Sequence, residues 1–360
     1  MHQEETLRLL IDETKWRDEL TSLHVSSIEM KDRLQLVDVI IRLLYGHMLE
    51  KKGRSRDSDR CAAALTAMAG CTDQELSLLM DLMLNPMQSE SAARQGDIFS
   101  LHHVSSNVLL KQQTGFLTLL GDVLKNLGSR LTAYWLTLLG TTLDLVANAQ
   151  GHLLSVTADD AVEQVENDAD EEESESGETL NSRVLRSMRQ QGLKGFADFF
   201  RCPVEFDFTP YIPASFPAIF TPRLELLNQE NIQAPSALLE LFYVWTSRPE
   251  FAVHLVQHDP RALPKILECL VAANVKQSVI DRVFDIVERL LSYTADDGEL
   301  LGLLIQPHIS QLLKNLTTLV ERTKADAALS SPITQRQISI LSEVARYAQD
   351  STWPSLPFAA

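Results

Sequence analysis

The chain has 360 residues, more than the roughly 250 to 300 that one hydrophobic core usually serves, so several domains or a repeat array are expected. Gly and Pro number only 14 each while 45% of residues are hydrophobic, a balance that favours helix. The net charge of −17 excludes a uniformly basic nucleic-acid binder, but eleven of the acids fall between residues 159 and 178, where no Lys or Arg occurs, and the rest of the chain is only mildly acidic.

Residues 1–16 have the pattern of an amphipathic, charged helix and lack the apolar stretch of a signal peptide. Leu34, Val37, Ile41, Leu44 and Met48 recur at spacings of three and four, which predicts a second helix running through Arg42-Leu43-Leu44-Tyr45-Gly46. Arg42 lies among Ile40, Ile41, Leu43 and Leu44, where a charged head needs water or a carboxylate. It reads as an interface Arg beside a packing Tyr45 and a close-approach Gly46, with direct RNA contact as the competing reading. A basic loop follows, in which Lys51, Lys52, Arg54, Arg56 and Arg60 are set against Asp57 and Asp59. That composition suits contact with RNA phosphate or a partner. It equally suits a solvated connector, because no aromatic residue is interleaved to stack bases. A small-residue helix starts at Cys61, and Thr72 with Glu75 has the spacing of a capping box that opens the next helix.

The order of these elements across residues 39–84 resembles the down-regulated-in-metastasis (DRIM) family, giant helical-repeat components of the small-subunit processome. In that family a helix ending in an R-x-L-Y-G-like motif also precedes a basic loop, an Ala-rich helix and an acidic EL…DLxL helix. A second patch agrees, PVEFDFTPYIPASFPAIFTPRL from Pro203 and QAPSALLELFYVW from Gln233. The two patches span roughly half of the chain, and the far greater length of the family's members implies that this chain is a segment of such a protein. The resemblance implies a non-catalytic scaffold role in ribosome biogenesis and pre-18S rRNA processing. It implies pre-ribosomal RNA and processome proteins as partners, residence in the nucleus and nucleolus, and a structural role for Arg42, Leu44, Tyr45 and Gly46. Periodicity alone allows an alternative, a HEAT-repeat adaptor in protein transport or trafficking.

Residues 159–177, DDAVEQVENDADEEESESG, carry a long like-charge run with few large apolar residues and are expected to be a disordered insertion. They act as a solvated spacer or as a contact for basic partners. The expected organisation is a helical-repeat block over 1–157, an acidic linker over 158–179, a second block over 180–350 and a tail over 351–360. In the second block Pro222, Pro264 and Pro307 lie 42 and 43 residues apart, each near the start of an apolar helix. Second helices are predicted at 235–246, 275–292 and 332–348, the last opened by Ser331-Pro332. A period near 40 to 47 with two helices per unit is that of HEAT-type repeats. The expected fold is therefore all-α, a HEAT-like α-solenoid of stacked antiparallel helix pairs with the acidic insertion. The only short alternating segment is 204–208.

No nucleotide-binding, hydrolase or metalloprotease motif is present in the sequence, so no enzyme, cofactor or small-molecule substrate is expected. His254 and His258 at i, i+4 with Asp259 adjacent suggest two metal ligands, but a third is not evident, and helix-end histidines beside an N-cap Asp are the preferred reading. His102 and His103 point to different helix faces. Asn315-Leu316-Thr317 matches a glycosylation sequon but falls mid-helix. Cys61, Cys71, Cys202 and Cys269 show no paired spacing and read as reduced intracellular thiols. The longest run free of charged residues, 208–222, contains four prolines, so no segment is expected to span a membrane.

Overall fold

The computed structural model describes residues 72–88, 107–163, 180–202, 204–295, 297–326 and 332–347. Among them the chain is all-α: every element is a helix, and the segment 204–208 is extended without pairing to any strand. Prolines flank that segment, and no second alternating run exists to receive its backbone groups. No described helix is long and apolar enough to cross a membrane. The chain divides into two compact units, one ending at Phe206 and the other beginning at Asp207.

The first unit contains α1 (Asp73–Gln88), α2 (Asn107–Leu127), a 3-10 segment (Gly128–Tyr134), α3 (Trp135–Glu163) and α4 (Leu180–Arg201). α1 begins directly after Thr72, whose carbonyl accepts from the Leu76 N–H at 3.0 Å, so a helix opens where the Thr72/Glu75 spacing places one. α4 packs against both α2 and α3. Its buried face, Leu185, Met188, Gly192, Phe196 and Phe199, repeats at the spacing of one helix side. Gly192 is the point of closest approach, for a Cβ placed there meets Val146 Cγ2 at 2.1 Å. Trp135 closes the base of the unit, donating to the Gly128 carbonyl at 3.1 Å and meeting Phe199 edge-on at 5.3 Å.

Two boundaries differ from the sequence expectation. α3 carries helical backbone to Glu163, past the start of the expected linker at 158, while the rest of the acidic run, 164–179, lies outside the described residues. α4 was expected to open the second block, yet it belongs with α2 and α3 in the first unit, so the unit boundary falls at 206/207. The reason is packing. A charge run marks where chain fails to bury itself, whereas the apolar stripe of α4 fits the faces of α2 and α3.

The second unit begins with α5 (Tyr211–Ser215), a π turn (Phe216–Phe220), α6 (Thr221–Leu224) and α7 (Leu227–Glu230). α8 (Ala237–Trp245), α9 (Pro249–Ala252), α10 (His254–Gln257) and α11 (Ala262–Glu268) follow, the last extended by a 3-10 turn (Cys269–Val271). Next come α12 (Gln277–Thr294), α13 (Gly298–Leu300), a π turn (Leu301–Ile305) and a 3-10 turn (Gln306–His308). α14 (Ile309–Asp326) and α15 (Pro332–Tyr347) complete it.

These helices sort into two rows. α6 and α7 pack on α11, and α11 packs on α14; α8 packs on α12, and α12 packs on α15. α14 and α15 form a hairpin, and the 3-10 turn after α11 packs on α12. The predicted second helices therefore stand as α8, α12 and α15, the last opening on Pro332. Pro222 lies in α6, Pro264 in α11 and Pro307 just ahead of α14. Two of these prolines lie two residues beyond a π turn. There the Thr221 N–H reaches back to the Phe216 carbonyl, and the Gln306 N–H to the Leu301 carbonyl. Pro lacks a donor and crowds the carbonyl four residues earlier, and the wider turn relieves that crowding. Asn274, the one described non-Gly residue with positive φ (57°), turns the chain into α12, whose N-cap is Lys276.

Candidate functional site

The basic loop with Lys51, Lys52, Arg54, Arg56 and Arg60, the motif residues Arg42, Leu44, Tyr45 and Gly46, and also Cys61, Cys71, His102 and His103 lie outside the described residues. Among the described residues no group of three or more His, Cys, Asp or Glu is placed to hold a metal ion. His254 and His258 do come together. Nδ1 of His254 stands 2.9 Å from Nε2 of His258, with the rings stacked at 15° and 5.0 Å apart. The His258 ring also lies 5.2 Å from that of Phe216. One of the two facing nitrogens must carry the proton and the other accept it, so the pair is suited to the neutral state. Burial pushes both imidazoles below the usual histidine value, and for His254 the proximity of His258 adds to the effect.

Asp259, expected as an N-cap, does more than cap. It is buried, accepts from the Arg261 backbone N–H at 3.0 Å and from the Thr221 hydroxyl at 2.8 Å, and is clasped by the Arg261 guanidinium through Nε at 3.0 Å and Nη2 at 2.8 Å. The Arg261 bond is the main reason its carboxyl lies below the usual range, with the Thr221 hydroxyl assisting. The residue thus ties α6 to the start of α11. Asn315 and Thr317 of the sequon are buried in α14, where Asn315 donates to the Leu267 carbonyl at 2.9 Å, so this amide is a packing element and not an acceptor for sugar. Cys202 and Cys269 are free thiols, and burial pushes Cys269 up to about 12.

Polar bridges between successive helices of a row recur at nearly constant separation along the chain. In the first row Gln311 donates to the Pro264 carbonyl at 3.0 Å across 47 residues, and Asn315 to Leu267 across 48. In the second row Arg282 donates to Glu240 at 2.7 Å across 42 residues, Arg289 to the Tyr243 carbonyl at 2.7 Å across 46, and Arg336 to Glu288 across 48. Arg282 and Arg289 both lie 3.9 Å from the Tyr243 ring centre. These bridges tie one helix pair to the next.

One charged feature was not singled out by the sequence reading. α4 carries Arg183, Arg186, Arg189, Lys194 and Arg201 against a single acid, Asp198. Arg189 turns inward and donates to Gln150 on α3 at 3.0 Å. Its guanidinium sits below its ordinary value, chiefly through burial and then through Arg186. Arg183, Arg186, Lys194 and Arg201 are exposed. At 100° per residue they fall within an arc of about 80°, opposite Gly192 and Phe196. The signal was present as a spacing of 3, 8 and 7 residues, but it was diluted by the acidic run immediately before it.

What these features define is an all-α protein of packed helix rows, tied across a regular interval by buried and half-buried polar bridges. The family described as "U3 small nucleolar RNA-associated protein 20, N-terminal" matches residues 1–355, and the chain belongs to that family. It is the family expected from the motifs at 39–84 and 203–245. The chain is similar to the U3 small nucleolar RNA-associated protein 20 of Schizosaccharomyces pombe, with 26% identity over 335 residues that make up 88% of this chain and 13% of the relative. It is also similar to that of Saccharomyces cerevisiae, with 20% identity over 309 residues, 83% of this chain and 11% of the relative. The chain therefore spans only about an eighth of the length of these relatives.

Proposed function

We propose that this chain is a non-catalytic scaffold segment of the small-subunit processome. It acts in ribosome biogenesis and pre-18S rRNA processing in the nucleus and nucleolus, and holds pre-ribosomal RNA and assembly proteins along HEAT-like stacked helix pairs. The observation that carries this reading is the recurrence of bridges between successive helices of a row, at separations of 47 and 48 residues in one row and 42 to 48 in the other. Elements stacked at such an interval make a surface that grows with the number of repeats, which suits a partner wrapping a large particle. Membership in a small-nucleolar-RNA-associated family favours this reading over a transport adaptor. Lys51, Lys52, Arg54, Arg56 and Arg60 are the contact residues for RNA phosphate or a partner in this reading, and no cofactor takes part. The test is co-sedimentation of tagged full-length protein with early pre-ribosomes across a salt series, wild type against a variant with Lys51, Lys52, Arg54 and Arg56 replaced by Ser. Salt-sensitive association weakened in the variant is expected. Undiminished association assigns the loop to a connector, and no association of the wild type overturns the scaffold role.

A further inference from the structure

We infer that the side of α15 turned away from α12 is a docking surface for one further helix of the same row, supplied by the rest of the full-length polypeptide. The inference rests on the stacked-pair part of the reading above and not on its RNA partner. It starts from a shared register. α12 carries Arg282, Phe284, Asp285 and Glu288 where α15 carries Arg336, Ile338, Ser339 and Ser342, and each arginine reaches back to the helix before its own, Arg282 to Glu240 and Arg336 to Glu288. The inward faces coincide as well: Val283, Ile286 and Leu290 are buried, and so are Gln337, Ile340 and Val344.

The two helices differ on one side. In α12 the apolar stripe Phe284, Val287 and Leu291 is centred about 170° around the helix from Arg282. All three residues are buried. α12 is met by the π turn Leu301–Ile305 and by α15, elements that follow it in the chain, and the Arg336 guanidinium stands 5.5 Å from the Phe284 ring. The same positions of α15 hold Ile338, Leu341 and Ala345, at the same angle from Arg336, yet Ile338 is 48% exposed and the other two are half-buried. An apolar stripe of helical period, left open where its counterpart is covered, is a face for another helix.

The row itself identifies the occupant. α12 packs on α8 and α15 on α12, each time a helix of the same polypeptide bridged across 42 to 48 residues. The segment aligned to the Schizosaccharomyces pombe relative is 13% of that protein, so a full-length polypeptide of this family has chain to supply the next helix. Residues 351–360 do not fit the role, because Pro354 and Pro357 prevent a continuous helical stripe. Gln335, Ser339 and Ser342 stand where α12 carries Asp281, Asp285 and Glu288, and they line a groove beside Ile338. The incoming helix therefore meets an apolar stripe with neutral groups at the three positions where the earlier joint has carboxylates.

The experiment uses the full-length protein with a photoreactive amino acid at position 342, which is exposed on the rim of the groove. Mass spectrometry should identify the captured peptide as a helix of the same polypeptide, 42 to 48 residues beyond the α15 positions it covers, in a product with the mass of one chain. Raising salt from about 0.1 to about 0.5 M should leave the yield within about twofold, because the joint is apolar and neutral. Hydrogen exchange of the α15 amides gives a second readout. I338S changes little at an exposed position, but at a covered one it should speed exchange about tenfold or more. Capture of residues 351–360, of a second copy, of another protein or of RNA overturns the assignment, as does no capture at all or unchanged exchange in I338S. A steep loss of yield with salt overturns the neutral joint. If the protein co-sediments with pre-ribosomes while position 342 captures no downstream helix, this inference fails and the scaffold reading stands. Capture of the downstream helix without any co-sedimentation supports the joint and overturns the scaffold reading.

Discussion

Arg336 on α15 donates through Nε and Nη2 to the two carboxylate oxygens of Glu288 on α12, at 2.9 and 2.7 Å, a forked pairing between residues 48 apart in the chain. The same guanidinium reaches Asp285 at 2.6 Å and lies 5.5 Å from the Phe284 ring. One side chain therefore bridges two carboxylates on the neighbouring helix of its row. Its own charge is stabilised above the ordinary arginine value, chiefly by Glu288 and then by Asp285. Arg282 pairs with Glu240 one helix pair earlier, through Nε at 2.7 Å, so the row is joined by charge-assisted bonds as well as by apolar contact.

Truncating Arg336 to Ala removes the forked partner of Glu288 and leaves Asp285 with Arg282 at 3.3 Å. We expect a loss of stability on the order of 1 to 3 kcal/mol by denaturant unfolding. Lys at this position should restore only part of it, because an ammonium does not bridge two oxygens in a fork. An unchanged midpoint for R336A would show that the pairing carries no net stability.

Gly192 and Val146 set the distance between α4 and α3. Replacing Gly by Ala in a helix normally stabilises by about 0.5 to 1 kcal/mol. Here the added methyl meets Val146 Cγ2 at 2.1 Å, so G192A should instead destabilise by about 1 to 3 kcal/mol. V146A removes the opposing methyl, and G192A should then be tolerated far better in the V146A background. Additive losses in the double mutant would place the strain elsewhere.

The His254–His258 pair makes the second unit sensitive to mild acid. Both imidazoles are depressed below 6.5, so the folded state binds fewer protons than the unfolded chain. The stability they contribute is complete above pH 6.5 and is lost as pH falls through their lowered folded values. Asp259 is also depressed, but from 3.8, so its contribution disappears only in stronger acid. Unfolding midpoints measured from pH 7.5 down to 5 should decline, and H254Q/H258Q should flatten that decline. His308, also depressed by burial, should leave a residual slope in the double variant.

Cys269 should be inert in the native state. It is fully buried and pushed up to about 12, leaving almost no thiolate at neutral pH. With Cys61, Cys71 and Cys202 replaced by Ser, labelling by a thiol reagent should proceed only at the rate of unfolding and accelerate with denaturant. Rapid labelling without denaturant would contradict this burial.

Much of the architecture is fixed by local pattern, and so was legible in the sequence. Apolar residues at three and four spacings specify helices, and the recurrence of Pro222, Pro264 and Pro307 locates the first row, because proline is restricted in helix interiors and so marks helix beginnings. The second helices at 235–246, 275–292 and 332–348 stand within a few residues of α8, α12 and α15. The family, too, was carried by motif order. The candidate contacts at Lys51 to Arg60 were legible as composition but lie outside the described residues, so the structure adds nothing to them.

Tertiary packing decided what depends on which faces meet. Whether α4 joins the helices before it or after it is a question of shape, settled by Gly192 fitting against Val146, and the acidic run beside it pointed to the wrong boundary. The side of α4 facing solvent, and with it the alignment of Arg183, Arg186, Lys194 and Arg201, follows from that packing. Arg336 finds Glu288, and Asp259 finds Thr221, only because two helices distant in sequence are brought side by side. A periodic sequence states that each helix has an apolar face; which partner covers it is determined by complementarity between surfaces, and that is a property of the folded chain alone.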